Sequence, residues 1–217
     1  MSAHAAPLPL SNLWMIVPAK PLCEGKSRLA GVLPPAERQC LNRDMLIHTL
    51  QTAASLQEAH HLLVISRDPS VLKLAEEHGA LPLQEEGSGL NRALYQASNH
   101  ARAHGADGVL VLPTDLPNVT AEDLRTFIQM CQPPGMVIAP DQRRIGTNAL
   151  LIAPPGSMRF LFGERSFHLH VAEGRACGLH VAICERPAFG LDIDLPQDLH
   201  TRNQPPADGY ERGPSPP

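Results

Sequence analysis

Short apolar runs alternate with segments of helical spacing along this chain, and that alternation limits the possible folds more than any other feature. Leu13–Val17, closed by Pro18, fits a buried strand, as do His61–Ser66, Ala80–Leu83, Gly108–Leu112, Met136–Ala139, Ala149–Ala153 and His180–Cys184. Pro34 and Pro35 open a first helix, where the first turn tolerates proline, and Cys40, Leu41, Met45, Leu46 and Leu50 fall near helical spacing. Asp68 can cap a second helix, from Pro69 to just before Gly79. Ser88 to His104 reads as a third, stopped by Gly105. Thr120 with Asp123 makes a capping-box pattern for a fourth. Arg165 to Cys177, ended by Gly178, is a fifth, and Pro196–His200 starts a short last one. Strands and helices in alternation predict an α/β fold, a three-layer arrangement with a mostly parallel sheet and helices on both faces.

The 217 residues suit one such domain. We place it at 13–202, after a flexible N-terminal lead (1–12) and before a disordered, Pro-rich tail (203–217) with little to bury. No apolar run approaches the roughly 20 residues that span a bilayer, and the lead has no basic start or apolar stretch of a secretion signal. A net charge of −4 supplies no field for nucleic acid, so a polyanion site must be a local basic cluster. The five cysteines are odd in number and show no CxxC spacing, which argues against a disulfide framework or a zinc site and for a reducing cytoplasm. His100 and His104 are four apart on a predicted helix but lack the glutamate of an HExxH motif.

In open α/β sheets ligands sit beyond the carboxyl ends of strands. The loops at 18–28, 113–117 and 140–148 follow strands and carry the chemistry. The first places Lys20, Lys26 and Arg28 together, cations suited to a triphosphate. Its GKS is not a Walker A loop, because Lys20 stands where that motif needs glycine. The second aims Asp115 between Pro113 and Pro117, at a strand end, as a Mg²⁺ ligand needs when phosphates and waters complete its shell. Near the end of the chain, Asp192 and Asp194 alternate with Leu191, Ile193 and Leu195, so both carboxylates share one face and call for a cation. Gly87 and Gly89 precede a helix whose Asn91 could read a base or ribose. In the third loop, Arg143 and Arg144 precede Gly146-Thr147-Asn148; Thr147, with Gly163 and Ser166 at a helix start, makes a second, smaller anion site. Taken singly, these segments also fit plainer readings: a solvated basic loop, a turn aspartate, a polar strand face, a capped helix.

In order they run V-P-x-K-P-L…K-S-R-L, G-L-N-x-A-L, L-P-x-D-L-P, G-T-N-A-L, F-G-x-x-S-F-x-x-H and L-D-I-D-x-P-x-D-L. From Trp14 to Leu199 this order resembles the phospholactate or phosphoenolpyruvate guanylyltransferases of coenzyme F-420 biosynthesis. The resemblance implies a nucleotidyltransferase (GT-A-like, Rossmann-related) fold and transfer of GMP from GTP, with loss of pyrophosphate, to phosphoenolpyruvate, 3-phosphoglycerate or 2-phospholactate. It implies Mg²⁺ on Asp115, Asp192 and Asp194. Thr147, Gly163 and Ser166 would contact the acid. Lys20, Lys26, Arg28 and Asn91 would hold the nucleotide, with Lys26, Arg28 and Asp115 catalytic. A downstream deazaflavin transferase would take the product. Rival readings are a sugar-phosphate or molybdopterin nucleotidyltransferase, which usually has a more glycine-rich first loop, and a glycosyltransferase, whose DxD should be central. A non-catalytic nucleotide-binding domain would have lost a metal carboxylate.

Overall fold

The computed structural model describes residues 10–56, 61–193 and Asp198. Asp194, the predicted helix at Pro196–His200 and most of both predicted termini lie outside these residues. The elements are β1 (Leu13–Pro18), α1 (Pro35–Ala54), β2 (His61–Ser66), α2 (Pro69–Glu77), β3 (Leu81–Gln84), α3 (Leu90–Ala103), β4 (Gly108–Val111), α4 (Ala121–Gln129), β5 (Gly135–Pro140), β6 (Thr147–Ala153), α5 (Ser166–Ala176), β7 (His180–Ile183) and α6 (Pro187–Gly190). A short 3-10 turn, Ser27–Leu29, lies between β1 and α1.

The strands form one seven-stranded sheet in the order β3-β2-β1-β4-β6-β5-β7. Every pairing is parallel except the two made by β6, which runs antiparallel to β4 and to β5. This confirms the mostly parallel sheet and adds one reversal. Its consequence is local: the first residues of β6 lie at the edge where β1, β4 and β5 end, so Thr147 reaches the same rim as Asp115.

The period-2 alternation of β1 divides the core. Leu13 and Met15 pack with Leu110, Leu151, Phe127 of α4 and Phe189 of α6. Val17, on the same side, packs with Leu46 and Leu50 of α1 and Val71 and Leu74 of α2. Trp14 and Ile16 face the other way, onto Ala93, Leu94 and Ala97 of α3 and Phe167 of α5. Helices therefore cover both faces, giving three layers. The predicted helix starts shift by a residue or two where the backbone is left-handed: Gly87 (φ 102) and Gly89 (φ 101) delay α3 to Leu90, and Arg165 (φ 57) delays α5 to Ser166.

Asp68 caps α2 through the Ser70 amide at 2.9 Å. The Thr120/Asp123 capping box is fully formed, and the same Asp123 carboxylate takes Arg186 Nε at 2.6 Å. His61, His100 and His104 surround the buried Trp14 ring, with His61 stacked on it at 4.4 Å. They serve packing, and among the described residues no cluster of three or more His, Cys, Asp or Glu could hold a metal. Among the described residues no helix is long and apolar enough to cross a membrane.

Candidate active site

A cleft of about 610 Å³ opens along the carboxyl edge of the sheet. Its lining comes from the ends of four parallel strands, the start of β6, the loops beyond them and residues of α1 and α3, including Lys20, Lys26, Asn42, Arg67, Glu85, Asp115, Thr147 and Asn148.

The first loop is shaped by a close approach. A Cβ on Gly25 would lie 2.5 Å from Asn42 Nδ2, and that nitrogen donates to the Leu22 carbonyl at 2.7 Å. Gly25 therefore lets the loop lie against α1, which is the part this glycine plays in place of a Walker A role. The next residue, Lys26, is held in the left-handed region (φ 57, ψ 39), a conformation that costs a non-glycine residue on the order of 1 kcal/mol or more. The bend turns its side chain inward: Lys26 is only 9% exposed, and its Nζ lies 3.2 Å from Asp115 Oδ2.

Asp115 follows β4, whose neighbour β1 leads into the lysine loop. Its main chain is also tied to the end of the sequence, because the Ile193 amide donates to the Asp115 carbonyl at 3.1 Å. The Ile193 side chain is fully buried against Leu29, Leu41 and Met45. Asp192, the residue before it, is half-buried. The backbone of the Asp192–Ile193 segment is thus held beside that of Asp115 by one hydrogen bond and one apolar anchor. Asp115 and Asp192 are of the donor type that would suit Mg²⁺, which is commonly held by one or two carboxylates while phosphate oxygens and waters fill the remaining positions.

Thr147 opens β6 on the strand next to β4. Its Oγ lies 3.0 Å from Nδ1 of His170, a fully buried residue of α5. The other ring nitrogen, Nε2, accepts the Leu161 amide at 2.8 Å. A nitrogen that accepts an N–H carries no proton, so the neutral ring bears its hydrogen on Nδ1 and donates it to Thr147. The threonine's own hydrogen is then left for a group in the cleft. Burial pushes the His170 pKa down to about 4, which keeps the ring neutral. Because this is below the ordinary value of 6.5, the unfolded chain takes up the proton first on acidification, and stability falls with pH. From pH 6.5 to pH 5 the expected loss is about 2 kcal/mol. Urea unfolding at pH 7 and pH 5 checks this: the wild type should lose more stability than His170→Asn, and equal losses would refute the assignment.

Of the expected site residues, Arg28, Asn91, Gly163, Ser166 and Asp192 are not among those that line the cleft. Arg28 lies exposed in the 3-10 turn. Asn91 does not line the cleft either. Its amide bridges the main chain of Phe162, accepting the Phe162 N–H at 2.8 Å and donating to the Phe162 carbonyl at 2.9 Å. Asn91, in the first turn of α3, therefore fixes the main chain of Phe162. Gly163 (φ 135) follows the lining residue Phe162 and needs a glycine conformation, while Ser166 is buried at the first turn of α5. Arg144 is paired with Glu185 and lies 5.1 Å from the Phe167 ring centroid, which ties it to α5.

Asn42, Arg67, Glu85, Asn148 and His170 were not assigned roles from sequence. Asn148 and His170 stand inside recognised motifs, in G-T-N-A-L and at the end of F-G-x-x-S-F-x-x-H. Asn148 donates to the Phe189 carbonyl at 2.8 Å and so holds α6 to the rim. Arg67 and Glu85 follow β2 and β3, where the carboxyl-end rule, applied to every strand, points.

The fold has solved counterparts. A protein from Desulfovibrio desulfuricans G20 described as a nucleotide-diphospho-sugar transferase superposes with a TM-score of 0.72 at 18% identity, over 88% of this chain and 86% of that one. A nucleotidyl transferase from Methanothermobacter thermautotrophicus gives 0.66 at 16% identity, over 88% and 96%. These likenesses show the nucleotidyltransferase fold. At the level of sequence, the chain is 40% identical over 191 residues to the phosphoenolpyruvate guanylyltransferase of Rubrobacter xylanophilus, covering 87% of this chain and 92% of that protein. It is 34% identical over 185 residues to the 2-phospho-L-lactate guanylyltransferase of Methanothermobacter thermautotrophicus, covering 85% and 81%. Residues 13–202 match the family model described as guanylyl transferase, CofC like. With the fold, the six ordered motifs and the match over nearly the whole described chain in agreement, this protein is a nucleotidyltransferase and belongs to the CofC-like guanylyl transferase family.

Proposed function

We propose that the chain transfers GMP from GTP to phosphoenolpyruvate, releasing pyrophosphate, in the biosynthesis of coenzyme F-420. The observation that carries this reading is the meeting of Asp115 and Lys26 in the cleft, with Thr147 on the strand next to β4. A phosphate oxygen of the acid attacks the α-phosphorus of GTP, the new P–O bond forms, and the α–β bridging bond breaks with its electrons going to pyrophosphate. The second pKa of a phosphate is about 6, so the attacking oxygen is already ionised at neutral pH and needs no general base.

The difficulty is two anions meeting, and the lining residues address it. Lys20 and Lys26 offset charge on the triphosphate. Thr147, oriented by His170, donates its hydroxyl hydrogen to the acid. The turn at Gly163 and the start of α5 shape the far wall of the acid's site. Mg²⁺ on Asp115 and Asp192, with Asp194 from outside the described residues, would supply charge neutralisation at the phosphates. A double bond or a phosphate position separates the candidate acids, and the choice of phosphoenolpyruvate is supported by the named activity of the Rubrobacter relative.

The test is pyrophosphate release with GTP and Mg²⁺ and, in separate reactions, phosphoenolpyruvate, 3-phosphoglycerate and 2-phospholactate. A downstream deazaflavin transferase can be added to draw off the product. Turnover with phosphoenolpyruvate well above the other two is expected. Preference for another acid would move the substrate assignment, and release with none would remove the acid-transfer reading.

A further inference from the structure

The cleft floor crosses the carboxyl ends of β3, β2, β1 and β4 in that spatial order. Asp115 stands beyond β4 and Glu85 beyond β3, at opposite ends of this row. Neighbouring strands are about 4.8 Å apart, so the three intervals separate these positions by roughly 14 Å. With the α-phosphate beside Asp115 and the acid beside Thr147, the ribose and base extend the other way, across β1 and β2. A ribose and a purine laid end to end cover most of that distance, and a glutamate side chain covers the rest.

The position of Glu85 is fixed by its main chain. Its amide donates to the Ser66 carbonyl at 2.8 Å. On either side, Gln96 clamps the loop: its Oε1 accepts the Glu86 amide at 2.9 Å and its Nε2 donates to the Gln84 carbonyl at 2.8 Å. Arg67, the cleft cation that follows β2, is paired with Glu24. In the same cleft Leu90 is 44% exposed, an apolar surface of the kind a flat base covers.

An ionised carboxylate only accepts hydrogen bonds. Guanine alone among the common bases offers two adjacent donors on its pairing edge, the N1 hydrogen and the 2-amino group. Adenine presents the N1 lone pair there, which a carboxylate repels. We propose that Glu85 is the residue that selects guanine, accepting from N1 and from the 2-amino group. The proposal rests on reading the cleft as a nucleoside-triphosphate site.

Calorimetric binding of GTP, ITP and ATP to the full chain with Mg²⁺, and to Glu85→Ala and Glu85→Gln, tests it. ITP differs from GTP only by the missing 2-amino group. Wild type should bind GTP about tenfold tighter than ITP and on the order of a hundredfold tighter than ATP. Glu85→Ala should lose about tenfold or more for GTP, bring GTP and ITP together, and leave ATP binding unchanged or improved. Glu85→Gln, of nearly the same shape, should fall between, and it carries the test if the alanine variant does not fold. A wild type that binds the three alike, or variants that keep wild-type GTP affinity and selectivity, would overturn the proposal. Because no acid is present, guanine-selective binding without later pyrophosphate release would sink the acid-transfer reading and leave the role of Glu85 standing. Absence of nucleotide binding would overturn both.

Discussion

Asp115→Asn is expected to lower kcat by about a thousandfold while the protein remains folded. The side chain is 30% exposed at the end of a strand and fills no core position, and Asn has nearly the same shape. The substitution removes the charge that would hold the metal and that faces Lys26 at 3.2 Å. An amide oxygen is a poorer ligand for a hard cation, so extra Mg²⁺ should restore activity only in part. Turnover assays across a Mg²⁺ series, with unfolding curves as a control, check this. Near-normal turnover at ordinary Mg²⁺ would remove Asp115 from the metal site.

Lys26→Met should cost about a hundredfold to a thousandfold in kcat/KM. The methionine stem preserves the packing of a side chain that is only 9% exposed, so the loss reports the charge. The left-handed backbone at Lys26 turns its ammonium toward Asp115 in the cleft, and a cation already in place when phosphates arrive would need no reorganisation during the reaction. Lys26→Arg keeps the charge but brings a larger, planar head, and should recover only part of the activity. If Lys26→Met kept wild-type kcat/KM, the lysine would be a structural partner of Asp115 and nothing more.

The sequence showed the site unevenly, for physical reasons that particular residues make plain. Asp115 was legible because an apolar run that stops at a proline-flanked aspartate can hardly be anything but a strand end. The apolar face of Ile193 was legible because it alternates with Asp192 and Asp194, and it is buried as that pattern requires. Thr147 was legible through its motif, but its hydroxyl geometry was not. That geometry depends on His170, which meets it only when α5 packs beside β6. For Arg28, counting cations on a loop gives a charge but not a place in the cleft, whose lining it does not join. The bridge from Asn91 to Phe162 was not legible because the two residues are 71 positions apart, beyond any local pattern.

The sheet follows the same division. Seven strands could be located because each is an apolar run between turn residues. The reversal at β6 could not be read, since a strand buried on both faces has the same composition in either direction. Four-residue α6 was missed because one turn has too few positions to show a period. Yet that turn matters to the rim, through the Asn148 bond to the Phe189 carbonyl.

The most direct measurement is a ³¹P NMR spectrum of the protein with GTP, phosphoenolpyruvate and Mg²⁺ over the course of the reaction. Transfer at the α-phosphorus predicts the resonances of an unsymmetrical diphosphate, a pair of mutually coupled doublets, growing together with those of pyrophosphate. Formation of GDP, orthophosphate or GMP without the coupled pair would mean that the chain breaks GTP at a different bond or passes the fragment to water, and would contradict GMP transfer to the acid.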